Sequence, residues 1–443
     1  MEGGAGAVSA SARGEARRGL PRGTRALRAI LCVALGLVAT GCGAGVPRWW
    51  VDPRPTRQEA EILLETDRAS ALSSDTLLLH QIPDVPVREH LRPCCAFGSE
   101  LRASIAGLIP IPGYRIPNLL GPGDPGPHSY DSGVLSIARD GQVDPAFGRE
   151  RNGLVYTCRG GFIDTAHVRD YADWAIFLAA RIARIALEGG AIELPDEGGR
   201  RRVVVRALPR SMVERHGLRP SVANLAQWLA FELSIWHEIA TWYGWSSMRG
   251  FSERASAFSP EDLYSNLVGT KLMLAVVYQS QARSEFAYNH AIDAWLAAAL
   301  ELLGAVPREL GREVTAAVDG LWWDSGRRLP DPRLVLRRNL GIASPIRPWL
   351  PPDRVLSEGL RHELHEACGG DLAPIDFANP AVRDGVALAK QVTLEIEVDD
   401  DLAAQETFAS RGRRVSQADF PAIVAVVRKQ VQAELGPRAD RPD

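Results

Sequence analysis

Apolar side chains recur at helical spacing through the middle of the chain. This spacing predicts a helix over residues 166–187, with Asp164 as its N-cap, and a second helix over residues 221–243. Ser259, followed by Pro260 and two acidic residues, predicts the start of a third helix. The helical pattern also covers residues 259–279, 284–303, 307–321 and 416–435, and Leu and Ile are helically spaced over residues 56–80.

Strand patterns are fewer and shorter. Residues 392–398 alternate apolar and polar positions with a period of two, and residues 154–157 and 202–208 form short apolar runs. Residues 85–135 are rich in proline and glycine, which predicts short strands and ordered loops. The expected fold class is therefore α+β and predominantly α-helical, with a central helical core around residues 160–325, short strands and Pro/Gly-rich loops.

The N-terminus has the pattern of a secretory signal. Six arginines and two glutamates in residues 1–28 precede an apolar run over residues 29–39, which is too short to span a bilayer. Small residues then lead to Gly41 and Cys42, which is typical of the lipobox where a lipid is attached to the cysteine and the chain is cleaved before it. We therefore expect lipidation of Cys42.

The lipid anchor sets the expected location and partner. Gly43 after the lipidated cysteine is typical of lipoproteins sent to the outer membrane, so we expect the protein there, facing the periplasm. The membrane is the expected partner, and the sequence does not identify a protein or envelope-polymer partner. The predicted organisation is a signal peptide over 1–41, a tether over 42–60, a main α-rich domain over 61–355, a C-terminal α+β segment packed on it over 356–435, and a disordered tail over 436–443.

Composition excludes several classes of protein. Hydrophobic residues make up 46% of the 443 residues and charged residues 24%, which excludes disordered, collagen-like and disulfide-stapled chains. Lys and Arg total 51 and Asp and Glu total 54, and the net charge of −3 gives no reason to expect nucleic-acid binding. A globular protein fits these values.

Polar residues interrupt the apolar helix predicted over residues 221–243. Ser234, His237 and Thr241 share one broad helical face with Glu238. The His237–Glu238 pair matches the first half of the H-E-x-x-H zinc motif. Thr241 stands where the second histidine would be, so a metal needs ligands from elsewhere. The alternative is a core histidine that is hydrogen-bonded to a carboxylate.

Two other segments offer the missing ligands. His167 lies on the first turn of its predicted helix, where the helix dipole favours a neutral imidazole. Glu261 lies at the start of the third helix, where it also suits the dipole without any metal. We predict a divalent metal such as zinc, held by His167, His237 and Glu261, with one position left for water. Glu238 then takes a proton from that water in a metal-assisted hydrolysis whose substrate is peptide, glycan or lipid.

Cysteine chemistry gives an alternative mechanism. Cys158 precedes the helix that carries His167, an arrangement suited to a thiol hydrolase or transferase. A disulfide is the more common fate of a cysteine in the periplasm, and Cys94 or Cys95 is the expected partner of Cys158. A further alternative is a non-catalytic envelope protein that binds a partner or maintains structure.

Geometry distinguishes these hypotheses. The metal hypothesis requires side-chain nitrogens of His167 and His237 within about 4 Å of each other, and a separation beyond roughly 8 Å excludes it. A disulfide at Cys158 excludes the thiol mechanism. Polar side chains that are packed, hydrogen-bonded and closed to solvent favour the non-catalytic binding protein.

Several segments of the chain are similar to those of one family. The segments are Arg92-Pro-Cys-Cys-Ala-Phe-Gly98, Tyr156-Thr-Cys-Arg-Gly-Gly-Phe-Ile-Asp164, His167-Val-Arg-Asp170, Trp236-His-Glu-Ile-Ala-Thr-Trp-Tyr-Gly244 and Phe258-Ser-Pro-Glu-Asp-Leu-Tyr-Ser-Asn266. Together they resemble the bacterial envelope proteins catalogued as domain of unknown function 4056, over about residues 85–350. The resemblance implies an envelope protein and implies no activity and no residue roles.

Overall fold

The predicted central helices are present in the computed structural model of the protein. Contacts divide the chain into Met1–Asp52 and Pro53–Asp443, and all described residues belong to the second unit. The predicted signal peptide, Cys42, most of the tether, Cys94 and Cys95 lie outside the described residues. The structure describes residues 54–66, 68–74, 78–87, 92, 97–105, 109–116, 118–130, 138–139, 142–143, 150–246, 253–337, 345–383, 386–409 and 412–438.

The described helices are, in chain order, α1 (Arg57–Leu64), α2 (Thr165–Ile185), α3 (Arg210–His216), α4 (Leu218–Trp242), α5 (Asp262–Tyr278), α6 (Glu285–Leu302), α7 (Arg308–Ala317), α8 (Leu334–Arg337), α9 (Glu358–Cys368), α10 (Asp400–Ala403), α11 (Glu406–Ala409) and α12 (Phe420–Leu435).

The described strands are β1 (Leu101–Ile105), β2 (Ile109–Ile116), β3 (Ala138–Arg139), β4 (Gln142–Val143), β5 (Leu154–Thr157), β6 (Gly161–Asp164), β7 (Gly190–Leu194), β8 (Gly199–Val205), β9 (Trp323–Asp324), β10 (Leu329–Pro330), β11 (Val382–Arg383), β12 (Val386–Ala387), β13 (Val392–Val398) and β14 (Arg414–Ser416).

Helices α2, α4 and α5 pack against one another and form the centre of the core. All 17 residues of α5 are buried. A helix that is buried on every side belongs to the core of the protein. The prediction of an α+β, predominantly helical fold with a central helical core is therefore confirmed. Within the described part of the chain, no helix has both the length and the apolarity needed to cross a bilayer.

The largest sheet among the described residues has four antiparallel strands in the order β14-β13-β8-β7. Val392, Leu394, Ile396 and Val398 of β13 are buried, as the alternating pattern predicts. Strand β13 comes from the segment predicted over 356–435, whereas β7 and β8 come from the main domain. Both parts of the chain thus build one sheet.

Some elements differ from the prediction for local reasons. The third helix begins at Asp262, because the Ser259 backbone N–H donates to the Asp262 carboxylate (2.5 Å) in a turn that precedes the helix. Strand β8 starts before the predicted residue 202, because Gly198 adopts a φ of 62° and turns the chain from β7 into β8. Helix α9 was not predicted, because its buried residues are only Leu360 and Leu364.

Helices α2 and α5 approach each other closely at a glycine. A Cβ atom on Gly269 would lie 2.0 Å from the carbonyl oxygen of Val168. One turn earlier, the Asp164 backbone N–H donates to the Ser265 hydroxyl at 2.9 Å. The absence of a side chain at Gly269 therefore lets the first turn of α2 lie directly on α5.

Replacing Gly269 with alanine is expected to destabilise the protein. The added methyl group meets backbone, which cannot rotate away, so we expect a loss of about 1–3 kcal/mol from overpacking. Gly359 in α9 is the matched control, because an added Cβ there has no neighbour within 4 Å. Gly359→Ala should stabilise the helix by roughly 0.5–1 kcal/mol. Urea unfolding measures both variants, and equal effects would contradict the close approach.

Candidate metal centre

Three helix termini meet at one buried polar site. Asp164 is the N-cap of α2, where its Oδ1 accepts a hydrogen bond from the Ala166 N–H at 2.7 Å. His167 consequently lies on the first turn of α2, whereas His237 and Glu238 lie near the end of α4. Their side chains are 5%, 6% and 2% exposed, respectively. The start of α5 completes the site.

The structure brings His167, His237 and Glu238 together. One potential ligand atom from each side chain lies within 4.8 Å of the others. His167 Nε2 is 4.0 Å from Glu238 Oε1, and the two imidazole rings are 6.3 Å apart between centroids at an interplanar angle of 71°. The ligand nitrogens of the two histidines are at most 4.8 Å apart, which is below the limit of roughly 8 Å that excludes a shared ion.

A carboxylate contacts the Nδ1 atom of each histidine. His167 Nδ1 is 2.8 Å from Asp164 Oδ2, and His237 Nδ1 is 2.6 Å from Glu197 Oε1. Metal-binding histidines in proteins typically donate one ring N–H to a carboxylate, which fixes the ring and presents the lone pair of the other nitrogen. The same arrangement here orients Nε2 as the ligand atom of both rings.

Glu197 is positioned by the turn between β7 and β8. Arg201 forms an ion pair with its carboxylate, and the Trp236 Nε1–H donates to its backbone carbonyl at 2.8 Å. Burial raises the pKa of Glu197, but the charge of Arg201 and the contact with His237 outweigh burial and lower it below its ordinary value. Glu197 is therefore held as an anion against His237.

The two oxygens of Glu238 have different surroundings. Oε2 accepts a hydrogen bond from the backbone N–H of Phe258, a buried residue with a φ of 57°. This left-handed conformation is rare for an aromatic residue and is typical of functional sites. Oε1 is buried and has no hydrogen-bond partner among the described residues. Glu238 is thus fixed by one oxygen and presents the other beside His167.

Asp262 adds a further carboxylate on the opposite side of His167. Its Oδ1 lies 3.6 Å from His167 Nδ1, and Asp164, His167 and Asp262 form a second group of potential ligand atoms within 4.8 Å of one another. Asp164 is at hydrogen-bond distance from the same Nδ1 and also caps α2. We therefore interpret Asp164 and Asp262 as residues that orient His167.

Glu261, the third ligand expected from the sequence, has a different environment. It is buried at the start of α5, and its Oε1 accepts a hydrogen bond from the Ser259 hydroxyl at 2.8 Å. Neither group of potential ligands found among the described residues includes Glu261. Glu238 takes its place beside the histidines, because the turn that precedes α5 directs Glu261 towards Ser259.

The prediction that Cys158 pairs with Cys94 or Cys95 is wrong. Cys158 forms a disulfide with Cys368 of α9, and their Cα atoms are 6.0 Å apart. Cys94 and Cys95, the predicted partners, lie outside the described residues. Cys158 is not a free thiol, so the Cys158–His167 mechanism is excluded.

A second buried polar network lies further along α2. Arg92 contacts Glu150 at 2.6 Å, Asp170 at 2.5 Å and Asp173 at 2.9 Å. Burial lowers the pKa of Arg92, but these carboxylates outweigh it and the pKa lies above its ordinary value. Burial raises the pKa of Asp170 to about 6 despite Arg92. The charges are paired within the network, which we interpret as structural.

The site fits a metal ion with small side-chain movements. At ligand bonds of about 2.1 Å, two ligands of a tetrahedral ion are about 3.4 Å apart, so Glu238 and the histidines need to approach one another by about 1 Å. Two histidines and one carboxylate are a ligand set of catalytic zinc sites, and they also suit Fe(II).

The sequence pattern missed part of this site. Asp164 was predicted only as a cap, although its position three residues before His167 on one helix face was a local signal for contact. Glu197 had no local signal, because it lies 40 residues from His237 in the sequence.

Comparison with known proteins identifies a family. The family model described as Protein of unknown function (DUF4056) matches residues 82–352. No curated protein and no solved structure matches the chain. The matched region contains His167, Glu197, His237 and Glu238, whereas β13 and Cys368 lie beyond it.

The disulfide predicts a specific pattern of thiol reactivity. In unreduced protein unfolded in urea, Cys158 and Cys368 should resist alkylation, and reduction should make both reactive in peptide mass spectra. Replacing both by serine should lower the free energy of unfolding by about 2–5 kcal/mol. Alkylation of Cys158 without reductant would contradict the pairing.

Proposed function

The chain belongs to the DUF4056 family of proteins of unknown function, and from this premise we propose that it is a metal-dependent hydrolase of the cell envelope. The observation that carries the proposal is the pair of histidines, each with Nδ1 against a buried carboxylate, beside the unpartnered oxygen of Glu238. His167, His237 and Glu238 are the proposed ligands. This assigns Glu238 to the metal, where the sequence alone favoured Glu261.

The metal supplies the chemistry that these residues lack. A divalent ion held by His167, His237 and Glu238 would lower the pKa of a bound water to about 7 and would polarise a substrate oxygen. Asp164 and Glu197 hold the two imidazoles in one orientation, and nearby aromatic residues limit water at the site. Trp245, for example, lies 5.5 Å from His237 between ring centroids.

We also propose that the protein is a lipoprotein anchored through Cys42 in the outer membrane and facing the periplasm. The signal-like N-terminus supports export. The Cys158–Cys368 disulfide supports an oxidising compartment independently, because disulfides rarely persist in the cytosol. The membrane is then one partner, and a protein or envelope polymer is a further candidate.

A non-catalytic envelope protein is the second candidate. The observation in its favour is the low exposure of the site, where no side chain among His167, His237 and Glu238 exceeds 6%. In that case the histidine–carboxylate pairs only stabilise the helix termini. Metal content separates the two candidates.

Purified full-length protein in detergent is expected to contain about one divalent metal ion per chain, measured by plasma mass spectrometry. His237→Ala should lose most of it, because a ligand is removed. His365→Ala is the matched control, since His365 is exposed on α9 and contacts Asp371 at 3.0 Å. It should retain the metal.

Asp164→Asn tests the orienting carboxylate in the same assay. Asparagine is as good an N-cap as aspartate, so α2 should remain stable. It is a weaker partner for the His167 N–H, so metal affinity should fall roughly 10- to 100-fold. Wild-type protein without metal after reloading, or full metal content in His237→Ala, would favour the non-catalytic candidate.

Lipidation of Cys42 has its own test. In a bacterium fed an alkyne fatty acid, wild-type protein should carry the label and sediment with membranes, because the cysteine after the signal receives the lipid. Cys42→Ser should lose both properties. Cys32→Ser, in the apolar part of the signal, is the matched control and should keep them. Labelling of Cys42→Ser would place the lipid elsewhere.

A further inference from the structure

One residue of the C-terminal segment joins two elements that lead into the candidate metal centre. The Ile375 backbone N–H donates to the Arg159 carbonyl in the turn between β5 and β6 (3.0 Å), and the Ile375 carbonyl accepts from the Tyr264 hydroxyl of α5 (2.7 Å). The Tyr264 ring stacks on Phe377, with the ring centroids 4.6 Å apart. Residues 368–377, which we call the strap, therefore connect the β5–β6 hairpin to the start of α5.

Both connected elements carry residues that orient His167. Strand β6 ends at Asp164, whose Oδ2 lies 2.8 Å from His167 Nδ1. Helix α5 begins at Asp262, whose Oδ1 lies 3.6 Å from the same nitrogen. The Asp164 backbone N–H donates to the hydroxyl of Ser265 on α5 at 2.9 Å. The strap thus spans the two elements whose relative position sets the orientation of His167.

The disulfide anchors one end of the strap. Cys368 is bonded to Cys158, which directly precedes Arg159 in the hairpin turn. The Arg159 Nε–H also donates to the Ala373 carbonyl of the strap at 3.0 Å. Ile375 lies only seven positions after Cys368. The disulfide therefore keeps Ile375 at a high effective concentration near its hydrogen-bond partners.

The strap has few buried contacts of its own. None of residues 369–374, all of which the structure describes, is buried, and the buried residues of the strap are Ile375 and Phe377. Segments with few buried contacts open locally at a small cost in free energy. Without the disulfide, we therefore expect the strap to detach while the helical core stays folded.

The disulfide is accessible to a reductant, because Cys158 and Cys368 are both only half-buried. A dithiol supplies the electrons. One of its thiolates forms a bond with one cysteine sulfur as the Cys158–Cys368 bond breaks, and its second thiol then displaces that sulfur. The two cysteines gain two electrons and two protons in total, and the dithiol becomes a disulfide.

We propose that the Cys158–Cys368 disulfide regulates metal binding, so that the oxidised protein binds the ion tightly and reduction lowers the affinity by releasing the strap. This inference rests on the proposed metal-dependent function. Release of the strap removes the hydrogen bonds that join β6 and α5 through Ile375, and His167 is then less firmly oriented. The coupling is reciprocal, so a bound ion disfavours reduction of the disulfide to the same extent.

A purely structural disulfide is the alternative. Such a disulfide stabilises the folded chain against unfolding. It leaves the affinity of an already folded site unchanged. The metal affinity of folded protein therefore distinguishes the two roles.

The test measures the Co²⁺ affinity of full-length protein in detergent, by competition with a chelator of known affinity. Oxidised wild-type protein is compared with the double variant Cys158→Ser/Cys368→Ser, because free thiolates at these positions would themselves bind the ion. The double variant should bind cobalt about 10-fold more weakly, which is within the usual range for coupled sites. Circular dichroism verifies that the double variant is folded.

Hydrogen exchange without metal locates the effect in the chain. Backbone amides of the strap and of the first turns of α5 should exchange faster in the double variant than in wild type, because the strap opens locally. Amides in the middle of α4 should exchange at the wild-type rate. Faster exchange throughout the chain would show general destabilisation and would contradict release of the strap alone.

Tyr264→Phe tests the strap with the disulfide intact. The variant removes the hydroxyl that donates to Ile375 and keeps the ring on Phe377, so cobalt affinity should fall about threefold, as expected for one lost hydrogen bond. Arg347→Ala is the matched control. Arg347 contacts Asp376 of the strap in an exposed ion pair at 3.1 Å, so its removal should leave the affinity unchanged.

The outcomes separate the two levels of the proposal. If oxidised wild-type protein binds no cobalt, the metal centre fails and its regulation fails with it. If the folded double variant binds cobalt as tightly as wild type, the disulfide is purely structural and the metal centre stands. If the double variant does not fold, Tyr264→Phe decides. Wild-type affinity in Tyr264→Phe, or an equal loss in Arg347→Ala, then overturns the role of the strap.

Discussion

A helical core that encloses carboxylates must compensate their charge, and the rest of this structure depends on that constraint. Removing an ion from water costs several kcal/mol unless a partner is supplied. Arg92 compensates Glu150 and two acids of α2, and Arg201 compensates Glu197 in the β7–β8 turn. Asp164 is stabilised by the N-terminus of α2. Glu238 is also buried, and its Oε1 accepts no hydrogen bond from a described residue. That imbalance is the physical basis of the proposed metal centre.

Much of the fold could be predicted, because the central helices have start signals, as at Asp164 and Ser259, or apolar residues at helical spacing. Helix α5 is buried on all sides, and β13 has an alternating pattern, so both lie where the sequence indicated. Helix α9 buries only two residues, and β7 has a mostly exposed pattern, so neither gives a strong signal. The observed element boundaries differ from the predicted ones where a turn, such as that at Ser259, is stabilised by a hydrogen bond. The spacing of apolar residues does not indicate such a bond.

The candidate site was predictable only where its contacts are local. His237 and Glu238 are adjacent on one helix, and His167 follows a cap, so their residue types were visible in the sequence. Glu197 reaches His237 through a hairpin, and Cys158 reaches Cys368 across 210 residues. Such contacts depend on how elements pack, and no spacing in the sequence encodes them. Glu238 is the carboxylate that lies beside both histidines, whereas Glu261 accepts a hydrogen bond from Ser259 in the turn before α5.

The pairing of β13 with β8 has a consequence for biogenesis. Strand β8 follows directly on the turn that places Glu197 against His237, yet its partner strand is made of residues 392–398. During synthesis or export, every proposed ligand emerges long before residues 392–398, which form that partner strand. The site therefore adopts its final structure only when nearly the whole polypeptide is present. An exported chain would acquire its metal after translocation, from the ions available outside the cytoplasm.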